Sequence, residues 1–122
     1  MHRYYNPNPA HNSANDCVIR ALCKVFNKSW DDVYDMLWEA GKEAKEIPTT
    51  NWVWESLLES KGYKRTFLQC ATNCPTVSQF AEYHWAGKYV VCTGTHVVAL
   101  VAGDYYDAWD SGDLRVQYYF SK

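Results

Sequence analysis

The hydrophobic period of this chain changes once, at Lys88, and that change limits its architecture more than any other feature. Before Lys88, apolar residues recur every three or four positions, the period of a helix with one buried stripe. After it they crowd into short runs between turn residues, the mark of strands. Val18, Ala21, Leu22, Val25 and Phe26 form a first helical stripe behind Asp16, an N-cap residue type, and Asn27-Lys28 ends it. Ser29 caps a second helix, with Asp32 placed where negative charge favours a helix start. Trp30, Val33, Tyr34, Leu37 and Trp38 make its buried stripe, and Gly41 stops it. Residues 42–49 are polar, contain Pro48 and read as a linker. Thr50 or Asn51 caps a third helix, with Trp54, Leu57 and Leu58 inward and Gly62 as its stop. Residues 63–69 read as a short strand, and Cys74-Pro75-Thr76 leads into a fourth helix that buries Val77, Phe80, Ala81 and His84 and ends at Gly87. Strands are expected at 88–93, 96–102, 105–110 and 114–120, with Gly103-Asp104 as a tight hairpin turn. Residues 1–15, rich in Asn, Pro, Ser and His, read as an extended lead-in. The layout predicts an α+β domain, its N-terminal helices packed on one face of a C-terminal antiparallel sheet.

A length of 122 residues favours one domain spanning 1–122. The 48% hydrophobic content, with six Trp and ten Tyr, is ample for a packed core and excludes a disordered chain. A net charge of −2 without a basic run argues against nucleic acid as a partner. No apolar run approaches the roughly 20 residues of a membrane span, and the first residues lack the apolar stretch of a secretory signal. No membrane partner and a cytoplasmic location are therefore expected. The five cysteines, Cys17, Cys23, Cys70, Cys74 and Cys92, are an odd number, and in that setting reduced thiols are expected rather than a disulfide framework.

Three parts of the sequence carry chemistry. Cys17 opens the first helix, and a helix N-terminus stabilises a thiolate through its dipole and unpaired N–H groups. His96 heads a late strand and is the candidate base that takes the thiol proton. A third group must hold the imidazole in the correct tautomer, and Asp107 and Asp110 lie on the strand that follows. A loop centred on Gly103 sets His96 opposite Asp110, whereas a strict two-residue turn at Gly103-Asp104 sets it opposite Ser111. In the latter register Asp107 lies opposite Leu100, about 13 Å along the strand from His96 by strand rise. Asp110 is thus the preferred orienting acid and Asp107 the second, with solvation at a strand end the better account of Asp107. Asp16 is expected to turn its carboxylate to the backbone as a cap, since a negative charge beside Cys17 opposes the thiolate. Oxyanion donors are the Cys17 backbone N–H and a side chain just upstream, His11 or Asn12, with Asn15 a further candidate. Arg20, three residues after Cys17, is expected to pair with a carboxylate such as Asp107 or Asp110. Trp109 is placed to shield the site from water.

These residues resemble the papain-like superfamily of cysteine peptidases in a short form. Asp16-Cys17 opening a helix is similar to the bacteriocin-processing peptidases, in which an Asp-Cys pair carries the nucleophile. In that family a Gln six residues before the cysteine lines the oxyanion hole; this chain has His11 there, with Asn12 beside it. Asp110-Ser111 after Trp109 resembles the Asn-Ser step of papain. The chain also resembles small uncharacterised phage and prophage proteins of gut Gram-positive bacteria. Their pattern of Asn-Pro, Asp-Cys-x-x-Arg-Ala, Trp-Asp, a histidine strand and Tyr-Asp-x-Trp-Asp appears here as Asn6-Pro7, Asp16-Cys17, Arg20-Ala21, Trp30-Asp31, His96 and Tyr106 to Asp110. The resemblance implies a minimal papain-like fold and a thiol hydrolase, a peptidase or amidase acting on a peptide or protein through Cys17, His96 and Asp110, without a cofactor. It equally admits a catalytically silent scaffold that binds a host or defence protein. A zinc site from Cys70, Cys74, His84 and Cys92 lacks the two closely spaced ligand pairs of structural zinc, so no metal is expected.

Overall fold

A computed structural model of the chain describes residues 1–11, 16–70 and 72–122. Its helices are α1 (Cys17–Phe26), α2 (Trp30–Ala44), α3 (Asn51–Ser60) and α4 (Val77–Tyr83). Its strands are β1 (His2–Tyr4), β2 (Lys64–Phe67), β3 (Lys88–Cys92), β4 (Val97–Val101), β5 (Asp104–Asp107) and β6 (Tyr118–Ser121). The strands form one sheet in the order β1-β5-β4-β3-β6-β2, and the fold class is α+β.

Local chemistry sets the helix ends. Asn27 adopts the left-handed conformation that closes α1. The Ser29 hydroxyl accepts the Asp32 N–H at 3.1 Å to open α2. Thr76 and Gln79 form a reciprocal capping box at α4. Gly41, expected to stop α2, lies inside it, and the helix runs on to Ala44. The glycine serves close approach instead: a Cβ there would stand 2.8 Å from the Glu46 carbonyl oxygen and 3.0 Å from Pro48. The missing side chain lets residues 46–48 fold back against the helix.

The sheet departs from the expected meander in three ways. β1 pairs in parallel with β5, so the sheet is mixed and part of the lead-in belongs to it. Edge pairing uses backbone groups alone, so His2, Arg3 and Tyr4 need no hydrophobic pattern to join. β6 does not lie beside β5; it crosses to pair with β3, which is why 108–117 serves as a crossover and the strand begins only at Tyr118. Helices also cover both faces rather than one. Val90, Cys92, Val97, Ala99 and Phe120 pack in a core with residues of α1, α2 and α3. Val91, Val98, Leu100 and Tyr105 pack with Val77, Phe80 and Ala81 of α4. Two buried faces explain why β3 and β4 read as nearly continuous apolar runs.

The β4–β5 hairpin turns at Ala102 and Gly103, both left-handed with φ of 52° and 85°, as a two-residue hairpin requires. Val101 pairs with Asp104 and Leu100 with Tyr105. The turn thus falls one residue earlier than Gly103-Asp104, and Asp104 is the first residue of β5. Cys70 and Cys74, expected as reduced thiols, are joined in a disulfide. Their loop brings the Cα atoms to 5.3 Å, inside the span that a disulfide bridges. Among the described residues no helix is long and apolar enough to cross a membrane.

Candidate active site

Cys17 is the first residue of α1 and is only partly buried. His96 closes the four-residue loop between β3 and β4, where its carbonyl accepts the Thr93 N–H at 2.9 Å and the Thr93 hydroxyl at 3.2 Å. Those bonds fix the loop, and the imidazole and the Cys17 sulfur lie near enough that each shifts the other's titration. The two residues share a cleft of about 250 Å³ whose other walls include Thr49, Asn51, Trp54, Cys92 and Tyr118.

The acid behind the ring is Asp107, not Asp110. His96 Nε2 lies 2.6 Å from Asp107 Oδ2, which leaves Nδ1 as the ring nitrogen for the sulfur. The hairpin register explains the change. With Leu100 opposite Tyr105 and Ala99 opposite Tyr106, the same ladder continued sets Asp107 opposite Val98, two residues from His96 on one face. A diagonal neighbour of that kind is within reach of a histidine side chain. Asp110 instead accepts the Tyr105 hydroxyl at 2.6 Å and the Gly112 N–H at 2.9 Å. Those two bonds hold its carboxyl below the usual range without contact to His96. Asp107, read from sequence as a solvated strand end, is 0% exposed.

Asp107 anchors a buried polar network. Its carboxylate also accepts Arg20 Nη1 at 3.0 Å, Ser111 Oγ at 2.7 Å and the Ala108 N–H at 2.8 Å. Arg20 forks: its Nη2 donates to Asp16 Oδ1 at 2.7 Å, while Trp30 Nε1 donates to Asp16 Oδ2 at 2.9 Å. Asp16 is therefore not the expected side-chain cap of α1. Two charge-assisted or aromatic N–H donors outcompete the helix N–H groups for its oxygens, so the opening amides of α1 stay unclaimed by the Asp16 side chain.

The electrostatics follow from these contacts. Burial pushes the Cys17 thiol up, but the hydrogen bonds from His96 and the Val97 N–H, with the charges of His96 and Arg20, outweigh it and leave the thiol below its ordinary value. Burial pulls His96 down, yet the bonds and charges of Asp107 and Cys17 raise it to about 9. Asp107 is penalised by burial, but His96, Ser111 and the Ala108 N–H hold its carboxyl below the usual range. A lowered thiol beside a raised imidazole favours the thiolate–imidazolium pair at neutral pH. The other free thiols behave oppositely: burial, with Asp16 and Asp32 nearby, pushes Cys23 up to about 12, and burial raises Cys92 as well.

Trp109, half-exposed, lies against the His96 ring with centroids 4.8 Å apart. His11 is exposed and its N–H donates to the Asn8 carbonyl at 2.9 Å, while Asn12 and Asn15 lie outside the described residues. His84 stacks on Phe80 and its Nδ1 contacts the Phe80 carbonyl at 2.7 Å; Cys92 sits at the floor of the cleft, apart from the Cys70–Cys74 pair. Ser111, the Trp30 indole and the Val97 N–H were not singled out from sequence as site groups. Trp30-Asp31 and Asp110-Ser111 were visible as motifs, but nothing local indicates that the indole reaches Asp16 or the hydroxyl reaches Asp107. Compared with known family models, curated proteins and solved structures, the chain matches none.

Proposed function

We propose that the protein is a thiol hydrolase, a peptidase or amidase of papain-like type, with Cys17 as nucleophile, His96 as base and acid, and Asp107 as the group that orients His96. The observation that carries this reading is Cys17 and His96 lining one cleft, with a buried carboxylate 2.6 Å behind the ring, the thiol lowered and the imidazole raised. The Cys17 thiolate attacks a carbonyl carbon and forms a C–S bond, while the carbonyl electron pair moves to oxygen. The Cys17 backbone N–H, at the start of α1 where Asp16 makes no cap, serves as a donor to that oxyanion. The imidazolium then gives its proton to the leaving nitrogen, the C–N bond breaks, and a thioester remains. Water, deprotonated by His96, attacks the thioester and the acid product departs with Cys17 restored. No step calls for a cofactor.

The substrate class is a peptide or protein. The free thiols of Cys17, Cys23 and Cys92 suit the cytoplasm, that of the host cell if a phage encodes the chain. The test is alkylation of the native protein by iodoacetamide, followed by mass, together with hydrolysis of a peptide library by wild type and Cys17→Ala. Cys17 is expected to react far ahead of Cys23, and cleavage is expected to vanish in the variant. Equal alkylation of the two thiols, with host-protein binding retained by Cys17→Ala, would instead favour the silent scaffold that binds a host or defence protein.

A further inference from the structure

Building on the thiol-hydrolase reading, we propose that Cys70–Cys74 is a reversible redox site, opened by a small thiol such as glutathione, and that its state sets the reactivity of Cys17. The two cysteines lie in the loop between β2 and α4 and are joined in a disulfide, while Cys17, Cys23 and Cys92 stay free. Their sequence separation is only 4. So short a ring removes little chain entropy from the unfolded protein, which makes the bond a poor stability device. Both residues are partly exposed, within reach of a dissolved thiol. In a compartment that suits three free thiols, a disulfide of this kind is transient and redox-sensing rather than a structural staple.

The bond ties two limbs of chain that grip one run of the crossover. Upstream, the Leu68 N–H donates to the Gln117 carbonyl at 3.0 Å. Downstream, Arg115 Nη1 donates to the Cys74 carbonyl at 2.7 Å, the Val116 N–H to the Pro75 carbonyl at 2.8 Å and the Val77 N–H to the Leu114 carbonyl at 2.9 Å. Between these limbs, residues 69, 70, 72 and 73 make no backbone–backbone hydrogen bond among the described residues. The disulfide holds the limbs together where the backbone does not.

The crossover in turn touches two parts of the catalytic apparatus. Its Ser111 hydroxyl donates to Asp107 Oδ2 at 2.7 Å, the oxygen that lies 2.6 Å from His96 Nε2. Its Gln117 N–H donates to the Cys92 carbonyl at 2.9 Å, and a Cβ at Gly94 would stand 2.9 Å from Gln117 Nε2. Cys92, Gly94 and His96 all line the cleft with Cys17. Loosening residues 114–117 therefore acts on the acid behind His96 and on the loop that carries it. The disulfide is the element with two discrete states that such coupling requires.

The exchange balances within the thiol pool. A glutathione thiolate attacks one sulfur of the pair, the Cys70–Cys74 S–S bond breaks, and a mixed disulfide forms. A second glutathione thiolate attacks the glutathione sulfur of that intermediate and leaves as oxidised glutathione. Cys70 and Cys74 gain two electrons and two protons, and two glutathiones are oxidised. The disulfide form is the assembled, fast one, and the dithiol form is slow.

The redox step is followed in Cys17→Ala, equilibrated in mixtures of reduced and oxidised glutathione, quenched in acid, denatured, and its thiols counted by maleimide and intact mass. Cys70–Cys74 is expected to open as reduced glutathione comes into excess; a bond that persists there overturns the site. The coupling is followed as iodoacetamide alkylation of the Cys17 peptide at fixed pH. It is compared in oxidised wild type, in wild type reduced on an immobilised phosphine, and in Cys70→Ser/Cys74→Ser. The reduced protein and the double variant are each expected to react about fivefold or more slowly, the lower end of ordinary coupling between sites. Reoxidation of the reduced wild type is expected to restore the rate, which separates a switch from unfolding. Equal rates in oxidised and reduced wild type, or a loss that reoxidation does not reverse, overturn the switch and leave the hydrolase reading standing. If Cys17 reacts no faster than Cys23 in the oxidised protein, the hydrolase reading falls and the coupling falls with it, while the glutathione titration still decides the redox site.

Discussion

Asp107→Asn tests which acid serves His96, because the structure dictates how the amide must sit. One carboxylate oxygen accepts Arg20 Nη1 at 3.0 Å and the Ala108 N–H at 2.8 Å. Neither donor can become an acceptor, so the amide oxygen takes that position. The amide NH₂ is then turned toward His96 Nε2, where the carboxylate now lies at 2.6 Å. An imidazolium cannot face that NH₂, so His96 becomes neutral with its proton on Nδ1, pointing at the sulfur. Its pKa is expected to fall from about 9 to 6.5 or below. That drop corresponds to about 3 kcal/mol of lost stabilisation of the charged ring. Without its cationic partner the thiol returns toward its free value of about 8.5, so at about pH 6.5 only some one in a hundred Cys17 is thiolate. Iodoacetamide alkylation near that pH should slow by up to about 100-fold, measured by intact mass across a pH series, with near-UV circular dichroism to verify folding. Asp110→Asn should stay within about twofold of wild type, since its carboxylate serves Tyr105 and Gly112. A wild-type rate in Asp107→Asn, or the same loss in Asp110→Asn, would refute the assignment.

Arg20→Met leaves Asp16 and Asp107 buried without their shared cation and should destabilise the fold by about 3–5 kcal/mol, read as a lower urea midpoint. Arg20→Lys should recover only part of this, because an ammonium cannot fork between two carboxylates. Gly41→Ala forces a Cβ to within 2.8 Å of the Glu46 carbonyl and should cost about 1–3 kcal/mol, seen as a lower melting temperature. His96 has a folded pKa of about 9, above its ordinary 6.5, so its contribution to stability is complete below pH 6.5 and is lost as pH rises to about 9. The urea midpoint of wild type should therefore fall across that interval by more than that of His96→Gln.

The parts of the site that depend on periodicity were legible in the sequence. Cys17 precedes an apolar stripe and His96 precedes a strand run, so α1 and β4 could be drawn and the two residues placed at their ends. The acid could not be chosen the same way, because hairpin register turns on a single residue. Gly103-Asp104 has turn chemistry, and nothing in an alanine announces that Ala102 takes φ of 52°. Shifting the turn by that one residue moves Asp107 from a distant position to a diagonal neighbour of His96. The two-faced sheet was hidden for a related reason: a fully buried strand has no alternation to read, so Val90, Val91 and Cys92 could not reveal that α4 covers the second face.

The Asp16 problem resolves through contacts that no local pattern encodes. Beside Cys17 a carboxylate opposes the thiolate, and capping was the expected remedy. The fold applies a different one. Arg20, one helical turn on, lies between Asp16 and Asp107, and Trp30 takes the remaining Asp16 oxygen. The cation offsets both acids, and its charge itself lowers the Cys17 pKa. Because Asp16 is held from the side, its side chain caps none of the first amides of α1, and Cys17, Val18 and Ile19 line the cleft. A single arginine thus reconciles an acid adjacent to the thiol with an acid behind the imidazole. That accounts for why Asp16, Cys17 and Arg20 occur together on the first turn of one helix.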